Sequence, residues 1–166
     1  MAKTFTDNMS HQWTLSLRLR HVRSAADRIG IDLLNPRQYL SLLESLTDRL
    51  TYVFLLCEEQ AKEMKVDADG FEDLLYGDGF ADQASIAFLA ETEFFFQRLG
   101  QSHMALLARK AIESIKAGNQ RLAELIQSGE LESLLDAARA EMESQIPTPS
   151  RSSDGDSLPD SLRLQE

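Results

Sequence analysis

Short segments at the start of the chain alternate apolar and polar residues. Residues 3–6 and 12–17 both do so, and residues 7–10 between them have the composition of a turn, which favours a two-stranded β-hairpin. Two strands alone are only marginally stable in water. We therefore expect the apolar side chains of the hairpin to pack on the helices that follow; they are Phe5, Trp13, Leu15 and Leu17.

After residue 18, apolar residues recur three and four positions apart, which is the spacing of one face of an α-helix. Gly30 is placed to end the first helix, because glycine adopts the left-handed conformation without steric cost. Asn35 and Pro36 are placed to begin the second, as a cap and a first-turn residue. The pattern predicts helices over residues 19–29, 36–50, 50–65, 81–99, 102–126 and 131–142, with one or two further helical turns over 71–76.

Two of these helices carry more apolar residues than one face can hold. The helix over residues 50–65 is apolar on several sides, and we expect it at the centre of the core. The helix over residues 81–99 contains three consecutive phenylalanines, Phe94, Phe95 and Phe96. Since neighbouring residues on a helix point about 100° apart, at least one of the three must point away from the main core, into a second packing surface or towards a partner.

Length and composition favour one folded domain with a tail. The chain has 166 residues, of which 43% are apolar, values that are ordinary for a single core-forming domain. Residues 147–166 contain three prolines and five serines and too few apolar side chains to offset the entropy of ordering, so we predict that they are disordered. The predicted architecture is mainly α, with residues 1–18 as an N-terminal β-hairpin or arm, residues 19–145 as a compact helical domain and residues 146–166 as a disordered tail.

Acidic residues outnumber basic ones, and the surplus is concentrated in the middle of the chain. There are 27 Asp and Glu against 17 Lys and Arg, a net charge of -10. Residues 58–93 hold eleven acids and two lysines, which gives -9, whereas residues 1–31 hold five bases and two acids, which gives +3. In one interpretation, the two regions face each other or are simply solvated. In the other, the acidic middle docks a basic or amphipathic partner, because opposite charge speeds the encounter of two proteins and apolar groups supply the affinity.

For the docking hypothesis, the candidate contact residues are the apolar and acidic side chains interleaved in the middle region. They are Phe71, Leu74, Leu75, Tyr76, Phe80, Glu91, Glu93, Phe94, Phe95 and Phe96. Nucleic acid is an alternative partner, since four arginines lie within residues 18–28 and arginines bind phosphates. The field of a chain with a net charge of -10 opposes that approach, and we expect a protein partner.

No constellation in the sequence indicates catalysis or a cofactor, and we predict neither. Cys57 lies on the apolar face of its helix beside Glu58 and Glu59, an environment that favours a buried structural thiol over a nucleophile. None of the three histidines has a glutamate three residues before it, which removes the pattern of helical di-iron proteins. A small enzyme with an unrecognised site remains an alternative.

A calcium loop can be tested by its spacing from Asp67. Position 6 of that loop is Glu72, where an EF-hand requires glycine, and position 12 is Asp78, where it requires glutamate. The EF-hand interpretation fails, and we predict no metal site of that kind. The remaining alternatives are a solvated acidic loop and a weak divalent site among Asp67, Asp69, Glu72 and Asp73.

The sequence also bears on compartment. One cysteine allows no disulfide within the chain, so nothing points to an oxidising compartment. The N-terminus lacks the apolar segment of a signal peptide, and the longest apolar stretch, residues 52–57, is far shorter than the roughly 18 residues that span a bilayer. We expect a cytoplasmic protein that does not enter a membrane.

Several phrases of the sequence resemble a group of small proteins encoded in the tail modules of bacteriophages and prophages. The resemblance lies in residues 3–7, 12–17, 22–34 and 55–61, and in the later run over residues 71–78 and 84–96, which ends in acidic and then aromatic residues. Together these segments fall within about residues 3–110, and they are similar to tail assembly chaperone-like proteins.

This resemblance implies a non-enzymatic role in the cytoplasm of a bacterial host. A tail assembly chaperone keeps the long helical tape measure protein soluble and helps the major tail protein to polymerise around it, so the implied partners are those two proteins. A structural component of the virion, such as a tail adaptor, is the alternative within the same setting. The oligomeric state does not follow from the sequence.

Overall fold

The computed structural model describes residues 3–144 and is mainly α-helical, with an N-terminal β-hairpin packed on helices, as predicted. The elements in chain order are β1 (Lys3–Thr6), β2 (Gln12–Leu15), α1 (Leu19–Ile29), α2 (Pro36–Glu44), α3 (Leu46–Met64), α4 (Ala68–Leu74), α5 (Phe80–Arg98), α6 (Ser102–Ser128) and α7 (Glu130–Ser144). The chain divides into two compact units, Met1–Leu122 and Ala123–Glu166. The predicted disordered tail lies outside the described residues.

The hairpin presents one apolar face to the helices. β1 and β2 are antiparallel, and Phe5 pairs with Trp13 in the register. Side chains on one face of a strand alternate with those on the other, and on the inner face Trp13 and Leu15 are inaccessible while Phe5 and Leu17 are nearly so. Because β1 packs on α5, and β2 packs on both α3 and α5, the expectation that this face packs on helices is confirmed.

One side chain of α3 covers the open edge of β2. The amide oxygen of Gln60 accepts a hydrogen bond of 2.9 Å from the Thr14 backbone nitrogen, and its amide nitrogen donates one of 2.8 Å to the Thr14 carbonyl. Gln60 therefore occupies the position that a third strand would take at this point of an otherwise exposed edge.

The core of the first unit lies around α3 and α5. α3 contacts α1, α2, α4, α5 and β2, which agrees with its predicted central position. Tyr52 of α3 and Phe88 of α5 are both inaccessible, and their ring centroids lie 5.2 Å apart. Cys57 is also fully buried, as expected of a structural thiol.

Most helix boundaries follow the sequence pattern, but one predicted boundary is wrong. The first helix ends at Gly30 with φ 71°, and α6 continues through Gly118. The predicted division near residue 50 instead falls at Ser45, which ends α2 and caps α3 by accepting a hydrogen bond of 3.2 Å from the Asp48 nitrogen. The helical turns predicted over residues 71–76 begin earlier, at Ala68, because Asp67 caps them through the Gly70 nitrogen.

Candidate functional site

A groove of about 510 Å³ lies between residues 16–18, which join β2 to α1 and which we call the link, and the C-terminal half of α5. We call it the α5 groove. Its lining residues are Ser16, Leu17, Arg18, Glu91, Phe94, Phe95, Arg98 and Leu99.

The spacing of residues on α5 explains why four of them share the groove. Phe94, Phe95 and Arg98 follow Glu91 by three, four and seven positions, which places all four on one side of a helix. Phe95 is buried, whereas Phe94 is 36% exposed. The guanidinium carbon of Arg98 lies 5.7 Å from the centroid of the Phe94 ring, within the range of a cation–π contact.

Glu91 ties the link to α5. It is only 5% exposed, and its Oε1 accepts a hydrogen bond of 3.0 Å from the Leu17 backbone nitrogen. Its Oε2 is buried with no hydrogen-bond partner among the described residues. Because a buried carboxylate oxygen without a donor is energetically costly, Glu91 is the least satisfied polar group of the groove.

Two exposed arginines stand on the walls of the groove. Arg18 comes from the link and Arg98 from the last turn of α5. Within residues 3–144, neither forms an ion pair, whereas Arg28 meets Glu58 at 2.7 Å and Arg109 meets Glu93 at 2.6 Å. The groove thus combines an apolar floor with two uncompensated guanidinium groups.

The structure separates the ten candidate contact residues. Phe71 and Leu75 are buried in the core, and Leu74 and Phe80 are partly buried against it. The Phe71 ring lies 4.9 Å from that of Trp13. Tyr76, by contrast, is 85% exposed, so it is the member of the segment over residues 71–80 that is most available to a partner.

The remaining five candidates lie on α5, and three of them line the α5 groove: Glu91, Phe94 and Phe95. Phe96 is inaccessible, with its ring centroid 5.0 Å from that of Tyr39, and Glu93 is paired with Arg109. One phenylalanine of the triplet therefore does point away from the core, as helical geometry required, and it is Phe94.

Sequence reasoning missed the rest of the groove. Arg98 has a signal in the sequence, because it stands seven positions after Glu91 on the same helix. No sequence pattern places Arg18 beside α5. The hydrogen bond that brings the link to α5 joins Leu17 and Glu91, which lie 74 positions apart in the chain.

The arginines on α1 and directly before it lie beside glutamates, and Arg28 already forms an ion pair. A second depression of about 480 Å³ is lined by Arg18, Arg20 and Arg28, but Glu58 and Glu59 line it as well. Arg28 meets both carboxylate oxygens of Glu58, at 2.7 and 3.2 Å. The region is therefore of mixed charge rather than a basic patch.

In the described part of the second unit, residues 123–144, large apolar side chains are exposed. Leu134, Leu135 and Met142 of α7 are 58%, 62% and 70% exposed. With Ala138 they recur at helical spacing and form one stripe, which we call the α7 stripe. Ile126, near the end of α6, is 60% exposed.

Reactive and metal-binding chemistry is sparse in the described part of the chain. Burial raises the pKa of the Cys57 thiol to about 12, so the thiolate that a nucleophile needs is not formed at neutral pH. Within residues 3–144, no three His, Cys, Asp or Glu side chains are grouped so that they could hold a metal ion. Asp67, weighed above as a weak ligand, accepts the Gly70 backbone N–H at 2.9 Å as a helix cap.

No helix among the described residues has the length and apolar character that crossing a bilayer requires. No family model, curated protein or solved structure matches the chain.

Proposed function

We propose that this protein is a non-enzymatic tail assembly chaperone that binds the tape measure protein, and through it the major tail protein, in the cytoplasm of a bacterial host. The resemblance of residues 3–110 supports the setting. The observation that carries the binding role is the α7 stripe, where Leu134, Leu135 and Met142 are each more than half exposed.

Exposed apolar side chains at regular helical spacing are typical of a surface that packs on another helix. Leucine and methionine side chains left in water forgo about 1.5–3 kcal/mol each of burial free energy. A helix that covers the stripe recovers part of that energy, so the stripe supplies the affinity in this proposal.

The charge around the stripe selects the partner. Residues 123–144 contain six acidic side chains and one arginine, a net charge of -5. Self-association would bring two such acidic surfaces together, whereas a basic amphipathic helix is electrostatically favoured. The proposed occupant is therefore a basic amphipathic helical segment of the tape measure protein.

The test is co-purification of the tape measure protein with the full chain at low and at high salt. We expect capture by the wild-type chain, loss of capture by the L134S/L135S variant, and full capture by the A137S/A140S variant, which places two serines on another side of the same helix. No capture at low salt, together with a tape measure protein that stays soluble on its own, would overturn the proposal.

A virion component is distinguished by a second measurement. In the chaperone proposal the protein is absent from purified particles, because it leaves the tail when assembly ends. Its presence there at stoichiometric amounts would favour the structural adaptor instead.

A further inference from the structure

The α5 groove has the form of a site that takes one large side chain. Its volume of about 510 Å³ lies within the range of about 300–1,000 Å³ that is typical of ligand pockets. Phe95 forms a buried part of the floor, and Phe94 and Leu99 are 36% and 39% exposed along it. An apolar side chain entering the groove would cover both.

The walls of the groove determine which charge accompanies that side chain. Arg18, in the link, and Arg98, on α5, are both exposed. Neither has a carboxylate within 4.0 Å among residues 3–144. In a chain with a net charge of -10, two unpaired guanidinium groups beside an apolar floor form a local positive site. Guanidinium groups bind carboxylates through paired N–H donors.

Glu91 does not cancel this positive site by a direct ion pair. Its carboxylate is turned inward, with Oε1 held by the Leu17 N–H and Oε2 buried. Glu91 Oε2 is not accessible to a cationic ligand. The guanidinium groups of Arg18 and Arg98 are exposed and accessible to an anionic one. Glu91 instead holds the link, and with it Arg18, close to α5.

We propose that the α5 groove binds a segment of another protein in which a large apolar side chain is adjacent to an aspartate or glutamate. The apolar side chain lies on Phe94, Phe95 and Leu99, and the carboxylate pairs with Arg18 and Arg98. This proposal uses no residue of the α7 stripe, so the two proposals can be tested separately.

The experiment is selection of a random twelve-residue peptide library, displayed on phage, against the full chain. We expect enriched peptides in which leucine, phenylalanine or methionine neighbours an acidic residue. Basic peptides that are enriched on the wild-type chain but not on an F94A variant would assign the groove to Glu91 and overturn the proposal. So would the absence of any acidic peptide enriched over the F94A variant.

An enriched peptide, made synthetically with a fluorescent label, then gives the dissociation constant for each variant. We expect R18Q/R98Q to weaken binding at least tenfold, and R23Q/R37Q, which removes the same charge from exposed arginines outside the groove, to change it less than twofold. Equal weakening by both pairs would mean that only the overall field acts, which contradicts the proposed pairing. Matching unfolding midpoints for the variants establish that each is folded.

Discussion

The carboxylate of Asp7 accepts a hydrogen bond of 2.9 Å from the indole nitrogen of Trp13, and both side chains are almost completely buried. The same carboxylate accepts the backbone N–H groups of Met9 and His11 and meets the His11 ring nitrogen, each at 2.9 Å. One acidic residue thus closes the turn of the hairpin and holds its central aromatic side chain.

We expect Asp7→Asn to lower the free energy of unfolding by about 2 kcal/mol, because an amide has one acceptor oxygen where the carboxylate serves several donors. Trp13, the single tryptophan of the chain, reports unfolding in urea by its fluorescence. Asp27→Asn, at an exposed position of α1, is the matched control. Equal effects of the two substitutions would mean that the Asp7 network adds nothing.

Stability should also depend on pH through Asp7. Burial alone would raise the pKa of Asp7, but hydrogen bonds from Trp13, His11 and Met9 outweigh it and hold the pKa below its usual 3.8. Since the folded pKa lies below the unfolded one, this stabilisation is complete above the unfolded value and is lost as pH falls through the folded value. We expect the difference in unfolding free energy between wild type and D7N to shrink below about pH 4; a difference that grows in acid would contradict the network.

Arg49 stabilises the junction that the apolar pattern did not reveal. It is buried, donates to the Ser85 hydroxyl at 2.6 Å and to the Leu42 carbonyl at 3.2 Å, and also bonds the Leu43 carbonyl. These carbonyls belong to the end of α2, where helical partners are missing. Burial lowers the pKa of Arg49, and Asp82 opposes that shift.

We expect Arg49→Met to lower the free energy of unfolding by about 3 kcal/mol and Ser85→Ala by about 1 kcal/mol, since each leaves buried polar groups unpaired. The double variant should lose less than the sum, because the two side chains share one hydrogen bond. Urea unfolding of the four proteins gives this coupling energy. Strict additivity would show that the hydrogen bond between Arg49 and Ser85 adds nothing to stability. An equal loss in the exposed Arg37→Met variant would show that the Arg49 guanidinium does not cap α2.

How far the sequence predicts this fold can be read from the two ends of α2. Its start was predictable, because Asn35 caps the helix through the Arg37 nitrogen at 3.1 Å and Pro36 follows. Its end was not, since the helical spacing of Leu42, Leu46 and neighbouring leucines continues across Ser45. The break depends on a serine cap and on the reach of a buried arginine, which are tertiary rather than periodic features.

The same limit applies to the α5 groove. The acidic and aromatic run on α5 identified Glu91, Phe94 and Phe95 as candidates, because all three share one element. Arg18 could not be identified in this way, because it lies beside α5 only when the hairpin is packed on that helix. Burial of Phe71 and Leu75 was equally hidden, since an acidic segment with apolar residues has the same pattern whether those residues face the core or a partner.

Cys57 should be unreactive in the folded protein. It is fully buried, and burial raises the pKa of its thiol to about 12. We expect Ellman's reagent at pH 8 to label the folded chain at least ~10³-fold more slowly than the chain in denaturant, because labelling requires opening of the core. Labelling at the rate of a free thiol would instead identify Cys57 as accessible and reopen a nucleophilic role.

The phenylalanine triplet offers a comparison within one helix. Phe96 is inaccessible, whereas Phe94 is 36% exposed, so their removal should have different consequences. We expect Phe96→Ala to lower the free energy of unfolding by about 3–5 kcal/mol, as for other core phenylalanines, and Phe94→Ala by less than about 1 kcal/mol. Urea unfolding measures both losses. The Phe94→Ala variant should remain folded and yet bind the selected peptide more weakly than the wild-type chain does. Similar losses of stability at the two positions would show that Phe94 belongs to the core and that the α5 groove is not a free surface.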